Sequence, residues 1–494
     1  MKTLNFLIIC FIILKITIST SIDGQRSTNR KETLSSSNKQ RILAEDNYIY
    51  VQYSSEFTIY YVTGGSFKFN IPSRNGITWI KHSRYDGDML KNNGYIEIET
   101  GVNLKIYFDH KVSNLKDFFN SGLDNRNPYI SFVHFRNFDT SDLINMSGLF
   151  NGCSRLTSVD FGNFEGVNVT NIANMFSGCS SLTIVNLGSF IGSNVTSINA
   201  MFSGCTKLKT INLGKFVGSE VTGISAMFSR CTALESVNLG NFVGSGLIDI
   251  SSMLSGCTKL KTVNLGSFVG SEVKNISLMF SECSTIESVN LVSFIGSKVT
   301  NISAMFSGCT SIKTVNLENF VGSEVTDISA MFSGCTKLKT VNLGSFVGSK
   351  VTDISALFSG YTSLESINLE NFVGSEVTDI SFMFSGCTSI KTINLGSFVG
   401  SKVTDISAMF SGCTSLESVN FTNFKATKVT NMNKMFYNCS SIKSLNLSSL
   451  LKTTIEVVTD FENILEGCVG LKILDLSGLT FPTTSSDILG VLVI

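Results

Sequence analysis

The sequence predicts an α/β repeat fold. It would be a solenoid of about fourteen 26-residue coils with a parallel sheet on one side, plus a small β-rich N-terminal module. Three observations carry this. Cysteines fall at 153, 179, 205, 231, 257, 283, 309, 335, 387, 413 and 439, in steps of 26 with one double step where Tyr361 holds the expected place. The same apolar spacing returns within each step. The composition is skewed as copying of one short unit would skew it, with 41 Gly, 38 Phe and 13 Cys against 3 Pro, 3 His and 1 Trp.

Taken in order, the chain opens with Lys2 and an apolar run from Leu4 to Ile18. Small residues follow at Ser19, Thr20 and Ser21. This pattern predicts a signal peptide over residues 1–21, with an uncleaved anchor as the alternative. Residues 22–47 are rich in Ser, Asn, Lys and Arg and read as a flexible leader. Residues 48–110 hold short, partly alternating apolar segments: Tyr48 to Tyr53, Phe57 to Val62, Phe67 to Ile71, Ile77 to Ile80, Tyr95 to Glu99 and Leu104 to Phe108. They predict a β-rich N-terminal module or cap. The solenoid occupies 111–480, with Val112 to Phe119 already echoing its turn. Residues 481–494 form a C-terminal cap or tail, too short in apolar length to cross a bilayer.

The mid-array coil reads C-T-x-L-x-S/T-V-N-L-x-x-F-V-G-S-x-V-T-D-I-S-x-M-F-S-G. Ile211 and Leu213 share one face while Asn212 points the other way, which is strand alternation. Val325, Ile328, Met331 and Phe332 follow helical spacing, with Thr326 or Asp327 placed to cap. One strand and one short helix cannot bury two apolar faces alone, but stacked coils can. The two Phe per coil, such as Phe320 and Phe332, are read as core beside Met331.

The unit M-F-x-x-C-x-x-L-x-x-[LV]-[ND]-L-x-x-F, followed by V-T-[ND]-[MI], resembles the 26-residue bacterial-surface-protein repeat. That repeat is the BspA-like branch of the leucine-rich repeats. The stretch Phe424 to Leu447 carries the resemblance most fully, and it extends over most of the chain. It implies a secreted or cell-surface protein acting in adhesion or recognition, with a protein or glycan ligand at a cell surface or matrix. It implies no catalytic residues.

In a solenoid, equivalent positions stack into rows. The strand Asn row includes Asn212, Asn238, Asn264, Asn290, Asn316, Asn342, Asn368 and Asn394, with Asp160 and Asp475 at its ends. By alternation it faces outward, either as a hydrogen-bonded amide ladder or as a polar platform for a ligand. A charged row precedes it, with Lys209, Glu235, Lys261, Glu287, Lys313 and Lys339. Opposite charges mostly alternate from coil to coil and would attract across coils. These two rows form the candidate binding face. A second charged row runs through Glu220, Glu272, Lys298, Glu324, Lys350, Glu376 and Lys402. Asp327, Asp353, Asp379 and Asp405 form a like-charged row, read as capping with a calcium ladder as the alternative.

The balance of 38 Lys+Arg against 38 Asp+Glu leaves no basic excess for nucleic acid. No C-x-x-C pair points to zinc. His82, Asp86, Asp88 and His110 stand at no recognised catalytic spacing. No catalytic, metal or cofactor residues and no small-molecule substrate are therefore assigned. In a secreted chain the cysteines would first suggest disulfides, but a row at constant phase favours buried thiols packed as small apolar groups. Recognition through the strand face is the expected function, and a structural coat or spacer without a specific ligand is the alternative.

Overall fold

The computed structural model describes seven strands between residues 42 and 108, the segment 112–119, and residues 130–475 apart from short loop stretches. The longest of those stretches are 339–349 and 449–459. The predicted signal peptide, His110 and the C-terminal tail lie outside the described residues, as does Phe320.

Six N-terminal strands fall on the six segments marked by the sequence: Tyr48–Val51, Ser55–Tyr61, Gly65–Lys68, Ile77–His82, Tyr95–Ile98 and Asn103–Phe108. A seventh, Ile42–Glu45, pairs antiparallel with Tyr48–Val51. Pairing therefore begins inside the stretch whose composition suggested a flexible leader, at its apolar end, Ile42-Leu43-Ala44. Ser55–Tyr61 lies antiparallel to Asn103–Phe108 on one edge and to Ile130–Arg136 on the other. Ile130–Arg136 then pairs in parallel with Ser158–Asp160, a strand of the array. The N-terminal sheet and the solenoid thus share one backbone ladder.

Each array strand is only three residues long, as in Ser236–Asn238 and Thr392–Asn394, with the middle side chain buried and its neighbours exposed. Registers are strictly coil on coil, for example Val237 opposite Val263 and Ile393 opposite Val419. The sheet is not continuous among the described residues. Strands pair two by two: 184–186 with 210–212, 236–238 with 262–264, 288–290 with 314–316, 392–394 with 418–420, and 444–446 with 473–475. Every described pair keeps the same phase, so the strand pairing repeats every two coils.

The helical part of the expectation is replaced by turns. No described coil contains a helix. The amides of Ile328, Ala330, Phe332 and Gly334 donate to the carbonyls of Asp353, Ser355, Leu357 and Ser359 in the next coil, at 3.1, 2.7, 3.1 and 2.7 Å. Between them, Met331 and Ser333 close turns on Ile328 and Ala330 at 3.3 and 3.0 Å. A helix would spend all these donors inside its own coil. Here four of the six join coils, and left-handed residues at Ala330 (φ 53°) and Gly334 (φ 71°) reset the chain after each turn. The apolar spacing of i, i+3, i+6 and i+7 suits both solutions. Through the same segment a parallel bridge ladder runs without a gap from Asn114 to Asp460. The backbone continuity of the array therefore lies on the turn side.

The core is a set of apolar columns. Phe280, Phe306, Phe332, Phe358, Phe384 and Phe410 stack ring on ring, 5.6–6.2 Å apart and within 15° of parallel. Leu254 takes the equivalent place in its coil and is fully buried. The glycine after the second Phe column serves two needs. Gly192 has φ 58°, and a Cβ there would lie 2.6 Å from the Phe216 ring and 2.8 Å from that of Phe190.

Candidate recognition face

The strands place the predicted Asn row along one side of the array. Asn212, Asn238, Asn264, Asn290, Asn316 and Asn394 each close a strand. Asn238 and Asn394 are exposed, while Asn342, Asn368 and Lys339 lie outside the described residues. Asn420 donates from Nδ2 to Asn394 Oδ1 at 3.0 Å, which is a rung of the amide ladder. Its own Oδ1 turns back to accept from the Thr422 amide at 2.9 Å. Asn446 does the same with Ser448 at 2.8 Å. These side chains thus finish the strand end as well as facing outward.

Lys209, Glu235, Lys261, Glu287 and Lys313 are all exposed beside this row. Glu235 pairs with Lys261 at 3.4 Å and Glu287 with Lys313 at 2.8 Å, each within a strand-paired couple of coils. The Lys313 ammonium, first by hydrogen bonding and then by charge, holds the Glu287 carboxyl below its usual range. The second charged row works at the other junctions. Glu272–Lys298, Glu324–Lys350 and Glu376–Lys402, at 2.6, 2.6 and 2.5 Å, join one couple of coils to the next. Solvent screens exposed pairs of this kind, so they set register more than stability. Hydroxyl ladders also join the coils, such as Thr326 Oγ1 to Thr300 O at 3.2 Å.

The cysteine row lies inside. All twelve described cysteines are buried and free. From Cys179 onward each thiol donates to a backbone carbonyl of the preceding coil, as Cys335 Sγ does to Phe306 O at 3.2 Å. The hydroxyl of Tyr361, buried at the substituted position, donates to Leu338 O instead. Burial pushes the thiols up, to about 12 for Cys205, Cys257, Cys309 and Cys387. Thiolate is the reactive form. The folded protein at pH 8 is therefore expected to leave all twelve untouched by Ellman's reagent, and to release them in denaturant. Fast titration of several thiols in the native state would contradict this geometry.

A family model described as "Mycoplasma protein of unknown function, DUF285" matches residues 113–242, 222–341 and 352–472. The chain belongs to this family. Membership agrees with the BspA-like resemblance carried by the repeat. Among solved structures, the DUF285 chain is similar to a leucine-rich cell surface protein from Faecalibacterium prausnitzii A2-165. The identity is 19% over 58% of this chain and 84% of that one, with a TM-score of 0.35. A leucine-rich-repeat protein from Eubacterium ventriosum ATCC 27560 is similar at 14% identity over 72% of this chain and 93% of that one, with a TM-score of 0.31. A TLR13–ssRNA13 complex matches at 13% identity over 74% and 72%, with a TM-score of 0.15. No curated protein matches.

In the DUF285 array the like-charged row sits on the continuous turn-side ladder. Asp327 Oδ1 accepts from the Ser329 amide at 2.9 Å and its hydroxyl at 2.7 Å, so the row caps turns rather than helices. Asn301 makes the same two bonds, both at 2.8 Å, in its own coil. Among the described residues no group of three or more His, Cys, Asp or Glu is placed to hold a metal ion. Burial raises the Asp379 carboxyl, the Ser381 amide and hydroxyl work against this, and Asp353 and Asp405 add to the rise. A folded-state pKa above the unfolded value means that ionised Asp379 costs stability at neutral pH, a cost relieved as pH falls through the raised value. Asp379→Asn should therefore stabilise the array at pH 7. Thermal unfolding should show the gain shrinking towards pH 4. A loss at pH 7 would contradict this assignment.

Proposed function

We propose that this DUF285 protein is secreted or displayed on the cell surface, where it recognises a protein or glycan of a cell surface or matrix through its strand face. The supporting observation is the exposed Asn238, Asn394 and Asn420, with the exposed and alternating Lys209, Glu235, Lys261, Glu287 and Lys313, on coil-registered parallel strands. A lane of such residues repeats at about the 4.8 Å strand spacing. A ligand laid along it meets many equivalent weak contacts, and their number supplies the avidity. The zero net charge supports a polar, mixed-charge ligand over nucleic acid. The test is solid-phase binding of the full chain to immobilised matrix proteins, glycan arrays and intact cells. Saturable binding is expected, weakened when Lys261 and Lys313 are both changed to Glu. Absence of binding on every surface, with native circular dichroism, would defeat the reading. The regularity of the coils favours a second reading, a coat or spacer without a specific ligand, and that outcome would select it.

A further inference from the structure

On the turn face the array departs from its own repeat in three adjacent coils. Three outward positions of the turn ordinarily carry Thr, Ala and Gly, as in Thr300, Ala304 and Gly308. The coil before that carries Lys274, Leu278 and Glu282. The next one back carries Ile248 and Ser252, and the one before it Arg230. Stacking brings these six side chains onto one patch. Arg230 donates its amide to Ser255 O, Ser252 to Ser277 O and Leu278 to Ser303 O, each coil lying directly on the next.

These side chains give the fold little in return. Ile248 is 45% exposed and Leu278 39%, and Arg230, Lys274 and Glu282 are exposed as well. Arg230 and Glu282 adopt φ of 59° and 61°, a region that favours glycine, where other coils carry glycine, as at Gly308 (φ 73°); Leu278 (φ 59°) shares its left-handed backbone with the alanines of other coils, as at Ala304 (φ 52°). Arg230 lies along Gly256, where a Cβ would meet its Cγ at 3.3 Å, and Glu282 lies along Gly308 in the same way at 3.5 Å. Five Glu–Lys pairs form elsewhere on the array. None of these three charges joins an ion pair among the described residues.

We infer that this patch docks a protein partner that presents an aliphatic side chain flanked by carboxylates. Ile248 and Leu278 form the apolar floor. Arg230 and Lys274 stand at opposite corners of it and meet the carboxylates. Glu282 turns away uniformly anionic ligands such as nucleic acid or an acidic membrane, and none of the six offers an aromatic face for a sugar. Backbone strain kept at exposed positions is accounted for when the contacts that use those side chains belong to a partner. The inference is independent of the strand-face reading.

The experiment selects phage-displayed random peptides, about twelve residues long, on the full chain. A variant that restores the repeat, Arg230→Gly, Ile248→Thr, Lys274→Thr, Leu278→Ala and Glu282→Gly, serves as the comparison. Enriched peptides should carry a Leu or Ile flanked by Asp or Glu and bind the variant at least about tenfold more weakly. The variant's melting temperature should stay level or rise. Failure to enrich any peptide, equal binding to both proteins, or enriched peptides without acidic residues would each overturn the inference. A fall in the variant's melting temperature would also overturn it, by showing that the side chains serve the fold. Lys261→Glu with Lys313→Glu should leave peptide binding intact. If binding follows that change instead, the strand face is the site and the turn-face assignment is wrong.

Discussion

Phe332→Ala is expected to cost about 3–5 kcal/mol, because it empties a ring-sized space in a column that cannot collapse around it. Phe332 is fully buried, with Phe306 at 5.8 Å and Phe358 at 6.2 Å, almost parallel above and below. The loss falls on one coil and its two interfaces, since each coil touches only its neighbours. Urea denaturation should show a lower midpoint, and hydrogen exchange should show protection lost first in the coils around residue 332. The protein itself supplies the control. Leu254 fills the equivalent place in its coil, so Phe332→Leu should cost less than about 1.5 kcal/mol, in line with a hydrophobic exchange of similar volume. An alanine variant as stable as the native chain would show that the column does not hold the array together.

Gly192→Ala should cost about 2–4 kcal/mol, from two separable sources. The backbone at φ 58° penalises any Cβ, and that Cβ would press into the rings of Phe216 and Phe190 at 2.6 and 2.8 Å. Gly204→Ala isolates the first source. Its φ is 74°, but its Cβ would meet only the Gly178 backbone at 3.6 Å, so about 1–2 kcal/mol is expected. Equal shifts in melting temperature for the two variants would remove the ring contact from the account.

Much of this was legible in the sequence. The period, the strand positions and the outward Asn row follow from residue types recurring at fixed phase, and Ile211, Asn212 and Leu213 are enough to orient a strand. The turn side was not legible. Val325, Ile328, Met331 and Phe332 bury one face whether the backbone is helical or folded back in turns, and only the destination of their amides separates the two. That destination is another coil, which no local spacing reveals. The N-terminal sheet shows the same limit. Its strands could be read from alternation, but Ser55–Tyr61 lies between Asn103–Phe108 and Ile130–Arg136 because of non-local pairing. At the candidate face, the alternation of Lys and Glu was visible in the sequence. Which junction each ion pair spans became clear only from the strand couples. The odd residues of the turn face, Arg230 and Glu282 among them, were legible as breaks in the repeat, but their strained φ was not.

The two-coil pairing bears on how such a gene can change length. Removing one coil, 257–282, would set Glu235 beside Glu287 and delete Glu272 from its pair with Lys298. Removing two, 257–308, would set Glu235 beside Lys313 and restore opposite charges. Unequal crossing-over between near-identical copies therefore conserves charge order when it adds or drops coils in twos. Selection on solubility and register would favour natural length variants that differ by 52 residues over those that differ by 26.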